Sequence, residues 1–102
     1  METFGHQMFD AVTIVAEMAA VGMGLPPLTF TNMLDGGPHL LAPTGSDLEK
    51  NNLGAVFAGF HSDISFLTIH GKSKYPGLSV WTRDWKKTTV KLPAGCLLVQ
   101  AG

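Results

Sequence analysis

The sequence predicts an α+β fold, because one long helical pattern comes first and a series of short strand patterns follows it. Apolar residues recur at helical spacing from Thr3 to about Val21, and no proline interrupts them. After Pro38 the pattern changes to short apolar runs separated by turn residues, which is typical of strands. We therefore divide the chain into a helical segment, 1–37, and a β-strand segment, 38–102.

The first predicted helix ends at a glycine- and proline-rich stretch, GMGLPP. Gly22 or Gly24 can take the left-handed conformation that closes a helix, and Pro26 with Pro27 prevents the helix from continuing. The next run, LTFTNML, is long enough for one or two helical turns before DGGP stops it. We therefore expect a long helix followed by a short one.

The second segment contains the predicted strands and their turns. Strands are expected in the runs HLLAP, LGAVFAGFHSDISFLTIH, LSVWTR, TTVKL and CLLVQAG. The polar stretch TGSDLEKNN is expected to be an exposed loop, and GKSKYPG, DWKK and PAG supply turns. The last run stops at Gly102, in the middle of what reads as a core strand whose edge would be left unpaired. We therefore expect 1–102 to be a single partial domain, truncated after Gly102 or completed by another chain.

The composition also favours a chain with a partner. Apolar residues make up 45% and charged residues only 15%, against about 25% charged residues in an average soluble domain. So little charge in 102 residues suggests that one face is covered, by a second copy in a homo-oligomer or by a missing C-terminal segment. The net charge of −1 gives no field that attracts nucleic acid, so we expect no nucleic-acid partner.

Cysteine content and the N-terminus indicate the compartment. Cys96 is the one cysteine, so no internal disulfide forms, and its apolar run CLLVQ predicts a small buried side chain. The chain has no stretch of 18 uncharged apolar residues, and METFGHQ lacks the basic residues of a signal peptide. We therefore predict a cytoplasmic protein with no membrane partner.

The candidate site is a histidine and an aspartate in the stretch AGFHSDISFLTIHGKSKYPGLSVW, residues 58–81. His61 and Asp63 are two positions apart, so both would project from the same face if the run is a strand. Three interpretations stay open: a buried hydrogen-bonded pair, a proton-transfer pair, and two ligands of a metal that lacks its third. Small neighbours, Ala55, Ala58 and Gly59, leave room beside these side chains.

An ordered set of motifs over essentially all 102 residues resembles a known family. The helix, GLPPLTF, GPHLLAP, GFHSDISFLTIHGKSKYPGLSVW and VKLPAGCLLVQAG follow in order. The chain resembles the core of the iron(II)- and 2-oxoglutarate-dependent dioxygenases, in the branch similar to isopenicillin N synthase. The positions that match the pattern of that branch are His61, Ser62, Asp63, Leu67, Thr68, Ile69, Gly77, Leu78, Val80, Pro93, Gly95 and Gly102.

This resemblance implies a fold, a metal and a reaction. The fold would be an N-terminal helix packed on an incomplete double-stranded β-helix, or jelly-roll, core. His61 and Asp63 would be two of the three protein ligands of Fe(II), which leaves positions for 2-oxoglutarate and dioxygen. Small or apolar neighbours would keep water out of the site. The parent enzyme would hydroxylate, desaturate or cyclise a small organic substrate.

The chain departs from the family pattern at several positions. The third histidine ligand and the Arg–x–Ser that holds 2-oxoglutarate do not occur in it. His6, His39 and His70 are better explained as surface or structural histidines than as the third ligand. LLAP stands where many members have N-Y-Y-P, and Leu41 cannot donate the hydrogen bond of the first tyrosine. The isolated chain is therefore expected to be inactive, with no catalytic residue and no 2-oxoglutarate-binding residue assigned.

A different class of protein also fits the sequence. A non-catalytic β-barrel binding or interaction module would use His61 and Asp63 as a structural pair and its apolar surplus as an interface. In either case Trp81 and Trp85 flank a turn, where cross-strand aromatic packing is expected. Arg83 and Asp84 are expected to form a local ion pair.

Overall fold

The computed structural model describes residues 2–102 and has a mixed α+β structure, which confirms the predicted class. In chain order its elements are helices α1 (Glu2–Gly22) and α2 (Thr29–Leu34), and strands β1 (Leu67–His70), β2 (Ser79–Trp81), β3 (Lys87–Thr89) and β4 (Leu98–Ala101). The chain divides into two compact units, Met1–Ile64 and Ser65–Gly102. The change of pattern predicted at residue 38 therefore falls inside the first unit, and the single partial domain stays a prediction.

Helix α1 is the predicted long helix and contains the buried residues of the first unit. Met8, Ala16 and Ala20 are buried, and the two alanines are fully so. Their spacing of eight and four residues puts them on one side of the helix. Helix α2 packs against α1.

A glycine in the left-handed conformation ends α1, as the sequence predicted. Gly24 has φ +74° and donates its N–H to the carbonyl of Val21 at 3.0 Å. Leu25 donates to the carbonyl of Ala20 at 2.9 Å. This pair of bonds is the Schellman pattern, which satisfies carbonyls that the last helical turn leaves open.

The strand structure expected before residue 67 is not formed. HLLAP and the first part of LGAVFAGFHSDISFLTIH have no strand, although residues 39–66 are all described. A strand is stable only with a partner beside it, and β1 begins at Leu67, where β4 lies opposite. The polar loop is exposed as expected, and Asp47 organises it by accepting the N–H groups of Glu49 and Lys50.

The strands of the second unit form two antiparallel pairs. Strand β1 pairs with β4, from Leu67 opposite Ala101 to His70 opposite Leu98. Strand β2 pairs with β3, and Trp81 lies opposite Lys87. These strands fall within or overlap four of the predicted runs, but each has only three or four residues.

The connections in the second unit correct the prediction for Cys96 and show the position of Trp85. Cys96 is exposed rather than buried, because it closes the PAG turn by donating its N–H to the carbonyl of Pro93 at 3.3 Å. Trp85 lies in the loop between β2 and β3, with φ +61°, so the residue opposite Trp81 is Lys87. The Lys87 ammonium lies 5.3 Å from the centre of the Trp81 ring, so this cross-strand pair makes a cation–π contact.

Candidate functional site

The candidate metal ligands lie in an irregular segment of the first unit. His61 and Asp63 lie a few residues before β1, and residues 61–64 form no strand. The expectation that the pair ends a strand is therefore wrong, because the ladder with β4 starts only at Leu67. The assignment of His61 and Asp63 as metal ligands does not need a strand and stays a prediction.

The imidazole of His61 is oriented by its own backbone. Its Nδ1 lies 2.7 Å from the carbonyl oxygen of Gly59. A carbonyl only accepts hydrogen bonds, so Nδ1 carries the proton and, in the neutral ring, Nε2 keeps its lone pair. A metal-binding histidine characteristically donates its other N–H in this way. The tautomer is therefore the one that binds a metal through Nε2.

The surroundings of the pair differ from a closed site. His61 is exposed and Asp63 is half-buried. The apolar neighbours that were expected to exclude water are themselves exposed, Phe60 at 65% and Ile64 at 99%. The small residue Gly59 has open space around it, since nothing lies within 4 Å of where a Cβ would be. There is open space at Gly59, and the exposed neighbours do not exclude water from the pair.

The donor set fits part of an Fe(II) centre. One imidazole nitrogen and one carboxylate are two of the three ligand types of a 2-His-1-carboxylate site. Within residues 2–102, no group of three or more His, Cys, Asp or Glu side chains could hold a metal ion. Any ion held by His61 and Asp63 in this chain therefore keeps most of its coordination positions for other ligands.

The other described histidines are placed differently. His39 has its Nε2 at 2.8 Å from the carbonyl of Leu34, at the end of α2, and its ring lies 4.4 Å from that of Phe9. These contacts agree with the structural role expected for it. His70 is in β1, and its buried Nε2 has no hydrogen-bond partner among the described residues. His6 is on α1 and is exposed.

Sequence reasoning missed the carbonyl that orients His61. The signal for it is local, because Gly59 stands two residues before the histidine and its backbone can turn back towards the ring. A sequence motif built from side chains alone does not include the main-chain carbonyl oxygens that can accept a hydrogen bond from a histidine.

The comparisons with known proteins give no family for this chain. No protein-family model, curated protein or solved structure matches it. Within residues 2–102, no helix has the length and apolar character needed to cross a membrane.

Proposed function

We propose that this chain is part of a non-haem Fe(II)- and 2-oxoglutarate-dependent oxygenase that hydroxylates, desaturates or cyclises a small organic substrate. The observation that carries the proposal is the orientation of His61, whose Nδ1–H is held by the Gly59 carbonyl so that Nε2 can bind a metal. The ordered motif resemblance around His61 and Asp63 supports the same assignment.

In this proposal each residue has a defined task. His61 binds iron through Nε2, Asp63 binds it through its carboxylate, and the carbonyl of Gly59 fixes the plane of the imidazole. When bound, iron supplies the activation of dioxygen that couples oxidation of the substrate to decarboxylation of 2-oxoglutarate to succinate. The four strands belong to an incomplete jelly roll, and the isolated chain, with two of three ligands, does not turn over.

Metal titration of the 102-residue chain tests the ligand assignment. Mn(II) is the probe, because it is paramagnetic and suits the same nitrogen and oxygen donors. We expect weak binding, with a dissociation constant well above micromolar, and selective broadening of the NMR signals of His61 and Asp63. His61→Ala should abolish the broadening, whereas His6→Ala, an exposed histidine on α1, should leave it unchanged.

Two outcomes contradict this assignment. Broadening that persists in His61→Ala places the ion elsewhere and removes the basis of the oxygenase proposal. Sub-micromolar affinity shows that a third ligand is already available to the chain, and contradicts the inactive fragment. In that case 2-oxoglutarate and Fe(II) should be tested together for succinate formation.

The second candidate is a non-catalytic binding or interaction module. The observation that favours it is the lack of any three-residue ligand group within residues 2–102. The Nδ1–H bond of His61 would then stabilise the loop and serve no metal. Under this alternative His61→Ala lowers the free energy of unfolding by about 1 kcal/mol, and Mn(II) has no effect on either protein.

A further inference from the structure

The charges of this chain are separated along the sequence. The first unit contains seven of the eight acidic residues and one basic residue, which gives it a net charge of −6. The second unit contains one acidic and six basic residues, which gives +5, and the two values add to the −1 of the chain. The weak overall charge therefore hides a strong asymmetry between the two units.

Helix α1 carries an apolar surface on the side opposite its buried alanines. Ile14, Met18 and Val21 follow each other at spacings of four and three residues and are 58%, 67% and 59% exposed. A groove of about 470 Å³ lies on this side and is lined by Ile14, Glu17, Met18, Val21, Gly22 and Pro27. Glu17 lines the groove, Asp10 lies two helical turns earlier on the same side of α1, and α1 contains no lysine or arginine. We call this the α1 outer face.

The β2–β3 hairpin presents the complementary chemistry. The strand register places Trp81 and Lys87 opposite each other, with Ser79 and Thr89 on the same side. Trp81 is 40% exposed and Lys87 is also exposed. Lys91 follows two residues beyond Thr89 and adds a second exposed cation. This hairpin face therefore combines an aromatic ring with positive charge.

We infer that the α1 outer face of one copy of the chain docks on the β2–β3 hairpin face of a second copy. The α1 outer face is open to solvent, so it is available to a second molecule. Pairing of two α1 helices would bring Asp10 and Glu17 against their own counterparts, which is repulsive. The hairpin face instead places Lys87 and Lys91 near these carboxylates while Trp81 enters the groove.

The assembly that such a contact makes follows from its size and symmetry. A stable interface removes about 800 Å² of accessible surface from each partner. The contact joins different surfaces, so it closes into a ring when the rotation permits and otherwise extends. The inference does not depend on the oxygenase proposal.

A charge-exchange experiment with the full 102-residue chain tests the contact. One variant makes α1 basic, Asp10→Lys with Glu17→Lys, and the other makes the hairpin acidic, Lys87→Glu with Lys91→Glu. In each variant alone, the α1 outer face and the hairpin face carry charge of the same sign and repel each other. The concentration at which half of the assembly dissociates should therefore be at least about tenfold higher than for the unmodified chain. An equimolar mixture restores both contacts and should assemble again. Light scattering after size exclusion measures the mass, and circular dichroism checks that each variant folds.

The controls each reverse one charge, a change of two units against four in each test variant, at positions outside the two faces. Glu49→Lys lies in the exposed polar loop and Lys72→Glu lies in the turn after β1, and neither should change the assembly. An unmodified chain that is monomeric at all micromolar concentrations overturns the inference. Loss of assembly in each variant without recovery in the mixture also overturns it.

A third variant tests the apolar part of the contact. Since Met18→Ser removes apolar contact without changing charge, it should weaken assembly at high as well as low salt.

Discussion

The two units of this chain differ in how much of their structure is closed by their own residues. In Met1–Ile64, helix α1 makes its hydrogen bonds internally, ends in a Schellman pattern, and contributes Met8, Ala16 and Ala20 to a small core. In Ser65–Gly102, two strand pairs have formed, but no described residue of that unit is buried.

The difference follows from where each element finds its partners. A helix satisfies its backbone groups within one segment, whereas a strand pair leaves an unpaired edge on each outer side. A two-stranded sheet is marginally stable in water unless another layer covers it. The helices therefore satisfy most of their backbone groups without a partner, while each strand pair needs another layer or strand to cover it.

The largest expected effect comes from overfilling the helical core. Ala16 is fully buried, so Ala16→Leu should lower the free energy of unfolding of the first unit by about 1–3 kcal/mol. Gln7→Leu, at an exposed position of the same helix, is the control and should change it by less than about 0.5 kcal/mol. Urea unfolding followed by far-ultraviolet circular dichroism measures the helical transition.

The same experiment tests whether the units are separate. Both tryptophans, Trp81 and Trp85, lie in the second unit, so their fluorescence reports on that unit alone. Independent units predict that Ala16→Leu leaves the fluorescence transition in place. Equal shifts of both signals would show one cooperative domain, as the sequence predicted, and would remove the contrast between the units.

The next largest effect is a gain in stability in the hairpin. Trp85 has φ +61°, and the bonds from Trp85 N–H to Thr82 and from Thr82 N–H to Lys86 mark a three-residue loop whose last residue is left-handed. A side chain there costs about 1–2 kcal/mol, so Trp85→Gly should stabilise the hairpin by about 1 kcal/mol. Trp85→Ala removes the ring but keeps the Cβ. If Trp85→Ala is as stable as Trp85→Gly, backbone strain is not the cause.

The elements that the sequence predicted well are those with local causes. The helical spacing of α1, the glycine that ends it and the proline-glycine turn before β4 each depend on residues within a few positions. The prediction of strands before Leu67 was wrong, because a strand forms only beside a partner that is distant in sequence. An apolar run alone does not show whether that partner exists. Asp84 was expected to pair with its neighbour Arg83, but its carboxylate lies 2.8 Å from Lys86 because the loop turns back on itself.

The candidate site shows the same limit. The sequence singled out His61 and Asp63 by residue type and spacing, and this is a local property. It did not reveal the bond from the His61 ring to Gly59 or the exposure of Phe60 and Ile64, because both depend on how the chain turns and on what packs against it.

A smaller effect distinguishes two glycines. Gly95 has φ +76° in the turn that Pro93 and Cys96 close, so Gly95→Ala should destabilise the β1–β4 pair by about 1 kcal/mol. Gly59 is not left-handed and has open space around it, so Gly59→Ala should change little. Amide hydrogen exchange of Leu98–Ala101 measures the difference. Equal protection of these amides in both variants would contradict the role of the turn.

The smallest effect is the response of the hairpin loop to acid. Hydrogen bonds from Lys86 and then from Thr82 hold the pKa of the Asp84 carboxyl below its ordinary value of 3.8. Because this pKa is lower in the folded hairpin, the stabilisation is complete above the unfolded value and is lost as pH falls through the folded one. The loss is small because Lys86 and Asp84 are exposed and salt screens them. The indole NMR signal of Trp81 should therefore shift towards its unfolded position as the pH falls below about 4. Asp84→Asn should remove this acid response, whereas Asp47→Asn, in the other unit, should preserve it. If the response is unchanged in Asp84→Asn, another carboxylate is responsible for it.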